Sequence, residues 1–185
     1  MRGEEIQIAG ALSENRQLAE RCLMVLPGTH SKWVHVQDGR LTRFSTYMTG
    51  ELFAVLCQHS ILGRLLPDDQ GNTREFDSKA FELGIATAKS GRAGDLTYQI
   101  FATRTLGLTG RLQPTGLADF LSGLLIGSEL VSGMAALCEL EPMPLVLIGE
   151  PALCKRYADA LHCLGQPVAA VLGNTAASGL WRFAV

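Results

Sequence analysis

The chain has 185 residues, 47% of them hydrophobic and 18% charged, with a formal net charge of −2; this suits a packed globular core and, with no basic stripe, excludes nucleic acid as a partner. The opening Met1-Arg2-Gly3-Glu4-Glu5 is polar and acidic, which reads as no secretory signal. The most apolar stretch, Phe120 to Leu137, is broken by Ser122, Ser128, Glu129 and Ser132, which reads as too short and too polar for a membrane span, so a soluble cytoplasmic protein is expected.

In chain order, Arg2 to Leu12 reads as a short helix. Cys22 to Leu26 is a continuous apolar run that stops at Pro27-Gly28, as a buried strand entering a turn does. Trp33 to Val36 is rich in aromatic and β-branched residues, and Asp38-Gly39 after it signals a hairpin. Arg40 to Thr46 alternates apolar with polar and predicts a half-exposed strand, completing an antiparallel meander of three. The middle reads as helical: Glu51 to Leu62 (with Thr49 as N-cap), Ser78 to Lys89, Gly94 to Leu106 and Gly116 to Leu137. The polar stretch Pro67 to Asp77 is predicted to be a loop, with Asp77 or Ser78 capping the next helix. In the last of these helices Asp119, Ser122, Glu129 and Ser132 fall on one polar side, and Gly123, Gly127 and Gly133 permit close packing.

The end changes character. Leu145 to Ile148 predicts a buried strand stopped by Gly149, Pro151 starts a helix to about Leu164, Val168 to Leu172 is another strand, and Gly173 opens a last helix. No interdomain linker stands out. A three-stranded meander, a helical block and a βαβα end make an α/β fold of ribonuclease-H-like layout, the arrangement used in each lobe of actin-like ATPases and sugar kinases.

Candidate chemistry is confined to turns. In Leu26-Pro27-Gly28-Thr29-His30-Ser31-Lys32-Trp33, a strand-end glycine lets backbone N–H groups approach an anion, two hydroxyls stand by, and Lys32 adds a point charge. A phosphate fits such a turn; so does an ordinary hairpin whose polar residues face water. It is not a Walker A loop. Ile148-Gly149-Glu150-Pro151 leads from strand to helix, where backbone amides attract anions or a purine edge, although Glu150 repels phosphate. Leu172-Gly173-Asn174-Thr175 has the same pattern. Five cysteines, odd in number and without CxxC spacing, read as reduced thiols. The histidines His30, His35, His59 and His162 lack metal-ligand spacing, and no metal site is predicted.

The segments LPGTHSKWV (Leu26 to Val34) and RFSTYMTGEL (Arg43 to Leu52) resemble the most recognisable stretch of the 2-dehydro-3-deoxygalactonokinases. RGEEIQIAGAL (Arg2 to Leu12), ADFLSGLLIGSEL (Ala118 to Leu130), LIGEPALCKRYADAL (Leu147 to Leu161) and GNTAASGL (Gly173 to Leu180) are similar to the same family, so the resemblance covers nearly the whole chain. It implies an actin-like kinase that uses ATP, with Mg2+ bridging the phosphates, to phosphorylate 2-dehydro-3-deoxy-D-galactonate at its terminal hydroxyl during D-galactonate breakdown. Carried over, Gly28, Thr29, His30 and Lys32 form the phosphate turn of the second lobe. Gly149, Gly173 and Asn174 lie against the nucleotide, and Arg2, Glu4 and Glu5 meet the sugar acid.

The family pattern also places a whole first lobe before RGEE, with its own phosphate turn and the aspartates for metal and base work. Residues 1–185 are therefore expected to be the C-terminal nucleotide-binding lobe alone, inactive without an N-terminal lobe as partner and with no catalytic base assigned. Homo-oligomers are a further expected association, through apolar surface left uncovered. The competing reading is a non-catalytic nucleotide- or sugar-acid-binding remnant, or a subunit that needs a separately encoded first lobe.

Overall fold

A computed structural model describes residues 3–67, 75–92, 94–136 and 143–184. They group into two compact units: a sheet unit from Met1–Met48 with Leu137–Val185, and a helical unit, Thr49–Ala136, inserted between its strands. The sequence shows no linker between them because the insertion begins inside a helix signal.

The sheet unit carries strands β1 (Arg21–Leu26), β2 (Ser31–Gln37), β3 (Arg40–Tyr47), β4 (Leu145–Ile148) and β5 (Ala170–Leu172), in the spatial order β3-β2-β1-β4-β5. The meander is antiparallel, with Val25 opposite Trp33 and Val34 opposite Phe44. Asp38 and Gly39 both adopt positive φ (51° and 70°), the turn type whose twist matches a hairpin. β4 and β5 then add parallel to β1, with Met24 beside Val146 and Val146 beside Ala170. The continuous apolar sequence of β1 follows from this central place, since both of its faces are buried.

Helix α1 (Glu4–Glu14) covers one face: Ile8, Ala11 and Leu12 pack with Cys22, Met24, Leu26, Val34, Val36, Val146 and Ile148. Each Val, Leu, Ile or Met among them contributes about 1.5–3 kcal/mol when fully buried. The last helix, here α7 (Ala176–Ala184), lies so close to α1 that a Cβ on Gly179 would stand 1.9 Å from Ile6 O. Between β4 and β5 runs α6 (Pro151–Cys163), which places Tyr157 against Ser31 on the opposite face. It starts at Pro151 and ends where Gly165 (φ 75°) lets Gln166 N–H reach Leu161 O at 2.9 Å.

Two expectations need correction here. β3 is exposed on both faces through Thr46, with Leu41 and Phe44 at 41% and 57%: as the edge strand it lies beyond the helix cover, and Thr42 bulges out opposite His35 and Val36. The final strand is shorter than Val168 to Leu172.

The helical unit contains α2 (Thr49–His59), α3 (Ser78–Ser90), α4 (Leu96–Leu108) and α5 (Pro114–Ala135). Asp77 caps α3, accepting from Ala80 N at 3.0 Å. Most of the expected loop around it, residues 68–74, lies outside the described residues. α5 is the core helix, packing Leu121 and Leu125 against Leu62, and Phe120 and Leu124 against Ala80 and Ala88. By length and composition alone it could cross a bilayer, contrary to the sequence reading, but 72% of its most apolar window is buried within the protein. Of its expected polar side only Ser132 is exposed. Asp119, Ser122 and Glu129 are at most 7% exposed, and Asp119 accepts the Asp77 N–H at 3.0 Å, joining the starts of α3 and α5.

Candidate functional site

The parallel strands β1, β4 and β5 end on one rim of the sheet, and each runs there into a turn flagged by the sequence. Open α/β sheets take ligands outside the carboxyl ends of such strands. Gly149 occupies the middle. Its φ of 147° favours glycine; its N–H donates to Leu172 O at 3.1 Å, and a Cβ there would lie 3.6 Å from Pro27 O and 3.7 Å from Cys154 Sγ. It therefore stands between the β1–β2 turn and the end of β5.

On one side of it, Gly28 is half-buried while Thr29 and His30 are exposed. A Cβ on Gly28 would meet nothing within 4 Å, so open space adjoins the turn backbone; the same holds at Gly173. Ser31 and Lys32 then enter β2 and, being consecutive in a strand, point to opposite faces. Ser31 Oγ and Tyr157 Oη, both buried, share a hydrogen bond of 2.8 Å. Lys32 is only 6% exposed: its Nζ donates to His30 O at 2.8 Å and lies 3.2 Å from Glu4 Oε1. Two residues assigned to different ligands, phosphate and sugar acid, thus form an ion pair. Glu5 is exposed and accepts from Gly3 N at 3.0 Å, and Arg2 lies outside the described residues.

On the other side, Asn174 is exposed and its Oδ1 accepts from Ala176 N at 3.0 Å and from Gln7 Nε2 at 3.4 Å. Thr175 Oγ1 donates to Gln7 O at 2.6 Å, tying this turn to α1. The start of α6 is closed to anions. Glu150 turns back so that its carboxylate accepts from Ala152 N and Leu153 N at 2.9 and 2.8 Å. Those two amide bonds, Ala152's first, hold its carboxyl below the usual 4.5. Two amides of the first turn of α6 are therefore taken, while open space adjoins the backbone at Gly28 and Gly173.

Among the described residues no group of three His, Cys, Asp or Glu side chains is placed to hold a metal ion. Among the described residues Cys22, Cys57, Cys154 and Cys163 form no disulfide, and burial pushes the Cys22 thiol up to about 11; Cys138 lies outside the described residues.

Tyr157, Gln7 and Thr175 were not singled out from sequence. Tyr157 shares the buried face of α6 with Cys154 and Leu161, so its spacing announces a core residue and hides the hydrogen bond its hydroxyl makes.

The model of the family described as 2-keto-3-deoxy-galactonokinase matches residues 1–183. The 2-dehydro-3-deoxygalactonokinase of Escherichia coli (strain K12) is 36% identical over 176 residues, covering 95% of this chain and 56% of that protein. A Rhizobium meliloti (strain 1021) protein named "Probable 2-dehydro-3-deoxygalactonokinase DgoK1" is 36% identical over 174 residues, covering 92% of this chain and 54% of its own length. The crystal structure of a candidate 2-dehydro-3-deoxygalactonokinase from Sinorhizobium meliloti superposes with a TM-score of 0.86 at 34% identity, covering all of this chain and 59% of that one. The chain thus spans between half and two thirds of the length of each relative. With a family model matching residues 1–183 and the fold shared at that level, this chain belongs to the 2-keto-3-deoxy-galactonokinase family.

Proposed function

We propose that this chain is the ribonuclease-H-like second lobe of an ATP-dependent kinase, cytoplasmic, that phosphorylates 2-dehydro-3-deoxy-D-galactonate in D-galactonate breakdown. The observation that carries this reading is the meeting of the Gly28, Gly149 and Gly173 turns on one rim of the sheet, in a chain of this family. In it, the ATP phosphates lie along Gly28, Thr29 and His30, with open space beside Gly28 and with Thr29 and His30 exposed, and with the Lys32 charge close by. The uncharged end of the nucleotide rests on Gly149, Gly173 and Asn174, as the occupied N-terminus of α6 favours. Arg2 and Glu5 are assigned to the sugar acid, a guanidinium being suited to its carboxylate, with Glu4 turned inward to Lys32.

The described residues do not fit a protein-held metal, so Mg2+ enters this reading only with ATP and no step is derived through it. No catalytic base is assigned to this chain. Phosphoryl transfer requires an aligned acceptor as well as charge around the phosphates, and the reading gives that second wall to a first lobe of the kind the relatives' additional length can hold. The test is a coupled ADP-release assay with 2-dehydro-3-deoxygalactonate, run on the chain alone and with a relative's first lobe added. Turnover is expected only in the mixture, and Lys32→Ala should lower it roughly 10- to 100-fold with the circular dichroism unchanged. Turnover by the chain alone, or none in either case, overturns the reading.

A further inference from the structure

The β1–β2 turn has no apolar anchor of its own: Thr29 and His30 are exposed and Gly28 is half-buried. A polar anchor lies two residues beyond His30, in the pairing of Lys32 with Glu4. Lys32 Nζ bonds the carbonyl of His30, at the tip of the turn, and reaches Glu4 Oε1 on the first turn of α1. A lysine with its side chain 8% exposed needs compensation for its desolvated charge, and Glu4, 28% exposed, supplies it. The ammonium of this 8% exposed side chain, turned to the His30 carbonyl and the Glu4 carboxylate, keeps little surface for an anion lying over the exposed side of the turn.

We propose that Glu4 is a positioning residue that acts through Lys32: the ion pair clamps the His30 carbonyl and thereby keeps the backbone of the Gly28 to His30 turn set for an anionic ligand. This rests on reading the turn as the phosphate site, and it moves Glu4 out of the set that touches the sugar acid. Loss of Glu4 takes the carboxylate away from a buried ammonium, and loss of Lys32 takes away the bond that holds the His30 carbonyl. The consequence falls on ligands that use the turn and spares those that rest elsewhere on the rim.

The test compares ATP with adenosine as probes of the chain, by titration followed in amide NMR spectra, in wild type, Glu4→Gln, Lys32→Met, the double variant and Lys32→Arg. Glu4→Gln and Lys32→Met should each weaken ATP about 10-fold, the effect of one charge-assisted hydrogen bond, with adenosine unchanged. The double variant should be no worse than Lys32→Met, and Lys32→Arg should stay close to wild type. ATP affinity untouched by Glu4→Gln, or ATP and adenosine falling together, overturns the proposal, the second outcome marking a merely structural pair. If wild type fails to bind ATP, the phosphate reading fails by itself. Amide order parameters then decide: Glu4→Gln must still lower those of Thr29 and His30 relative to the β2 amides, and unchanged order overturns the positioning claim.

Discussion

His35 shows how much a single side chain can conceal from a sequence reading. It sits in a run of strand formers with nothing to mark it, yet its Nδ1 is hydrogen-bonded to Thr42 Oγ1 at the bulge while its Nε2 is buried without a partner among the described residues. Desolvation first, then the positive charges of Arg21 and Arg43, hold the imidazole below its usual 6.5. The folded state therefore resists a proton that the unfolded chain accepts. Stability from this site is complete above pH 6.5 and falls as the pH drops below it. The urea midpoint should decline between about pH 8 and pH 5 by more in wild type than in His35→Gln, and parallel profiles would refute the assignment. Lys32 was legible as a cation beside a turn; its partner was not, because Glu4 precedes it by most of a helix and a strand and only the packing of α1 brings them together.

At the level of elements, periodicity and punctuation did most of the work. Asp38-Gly39, Pro151 and the capping Asp77 each mark a boundary through backbone chemistry that holds whatever surrounds it. What failed was inference from polarity to exposure: Asp119 and Glu129 read as part of a polar side of α5 and are buried, and β3 read as half-exposed and is exposed along nearly its whole length, Leu41 and Phe44 included. Burial depends on the neighbouring element, which spacing within one element does not report. The glycines of α5 were read as close-packing positions, and the structure gives that reading a magnitude. A Cβ on Gly123 would stand 2.0 Å from Phe81 O, and one on Gly84 in α3 would stand 2.2 Å from Phe120 O. Glycine to alanine inside a helix ordinarily gains about 1 kcal/mol. Here the sign should invert, because the atoms met are backbone and can yield only if the helices part. Gly84→Ala and Gly123→Ala should each lose about 1–3 kcal/mol in urea titrations. A neutral or stabilising result would mean that α3 and α5 are further apart than described.

For the molecule as a whole, the carboxyl ends of β1, β4 and β5 gather every residue proposed to touch the nucleotide, and this convergence was the least legible feature, since it arises only once β4 and β5 join β1 after the helical insertion. The opposite rim of the sheet carries no such residue. The turn at Gln166-Pro167 lies there, after the hydrogen bonds that close α6 are already made. Insertion tolerance should differ accordingly between the two rims. A flexible segment of about six residues placed between Gln166 and Pro167 costs little loop-closure entropy and should leave ATP titrations unchanged, whereas the same segment after Gly28 should abolish them; equal effects at both places would contradict the assignment of the site to one rim. β2 admits still less. Because Ser31 must reach Tyr157 on one face and Lys32 must reach Glu4 on the other, adding or deleting a single residue at the start of this strand exchanges the two faces. The hydroxyl would then be delivered to the carboxylate and the ammonium to the phenol, so change at this turn can proceed by substitution but not by altering its length.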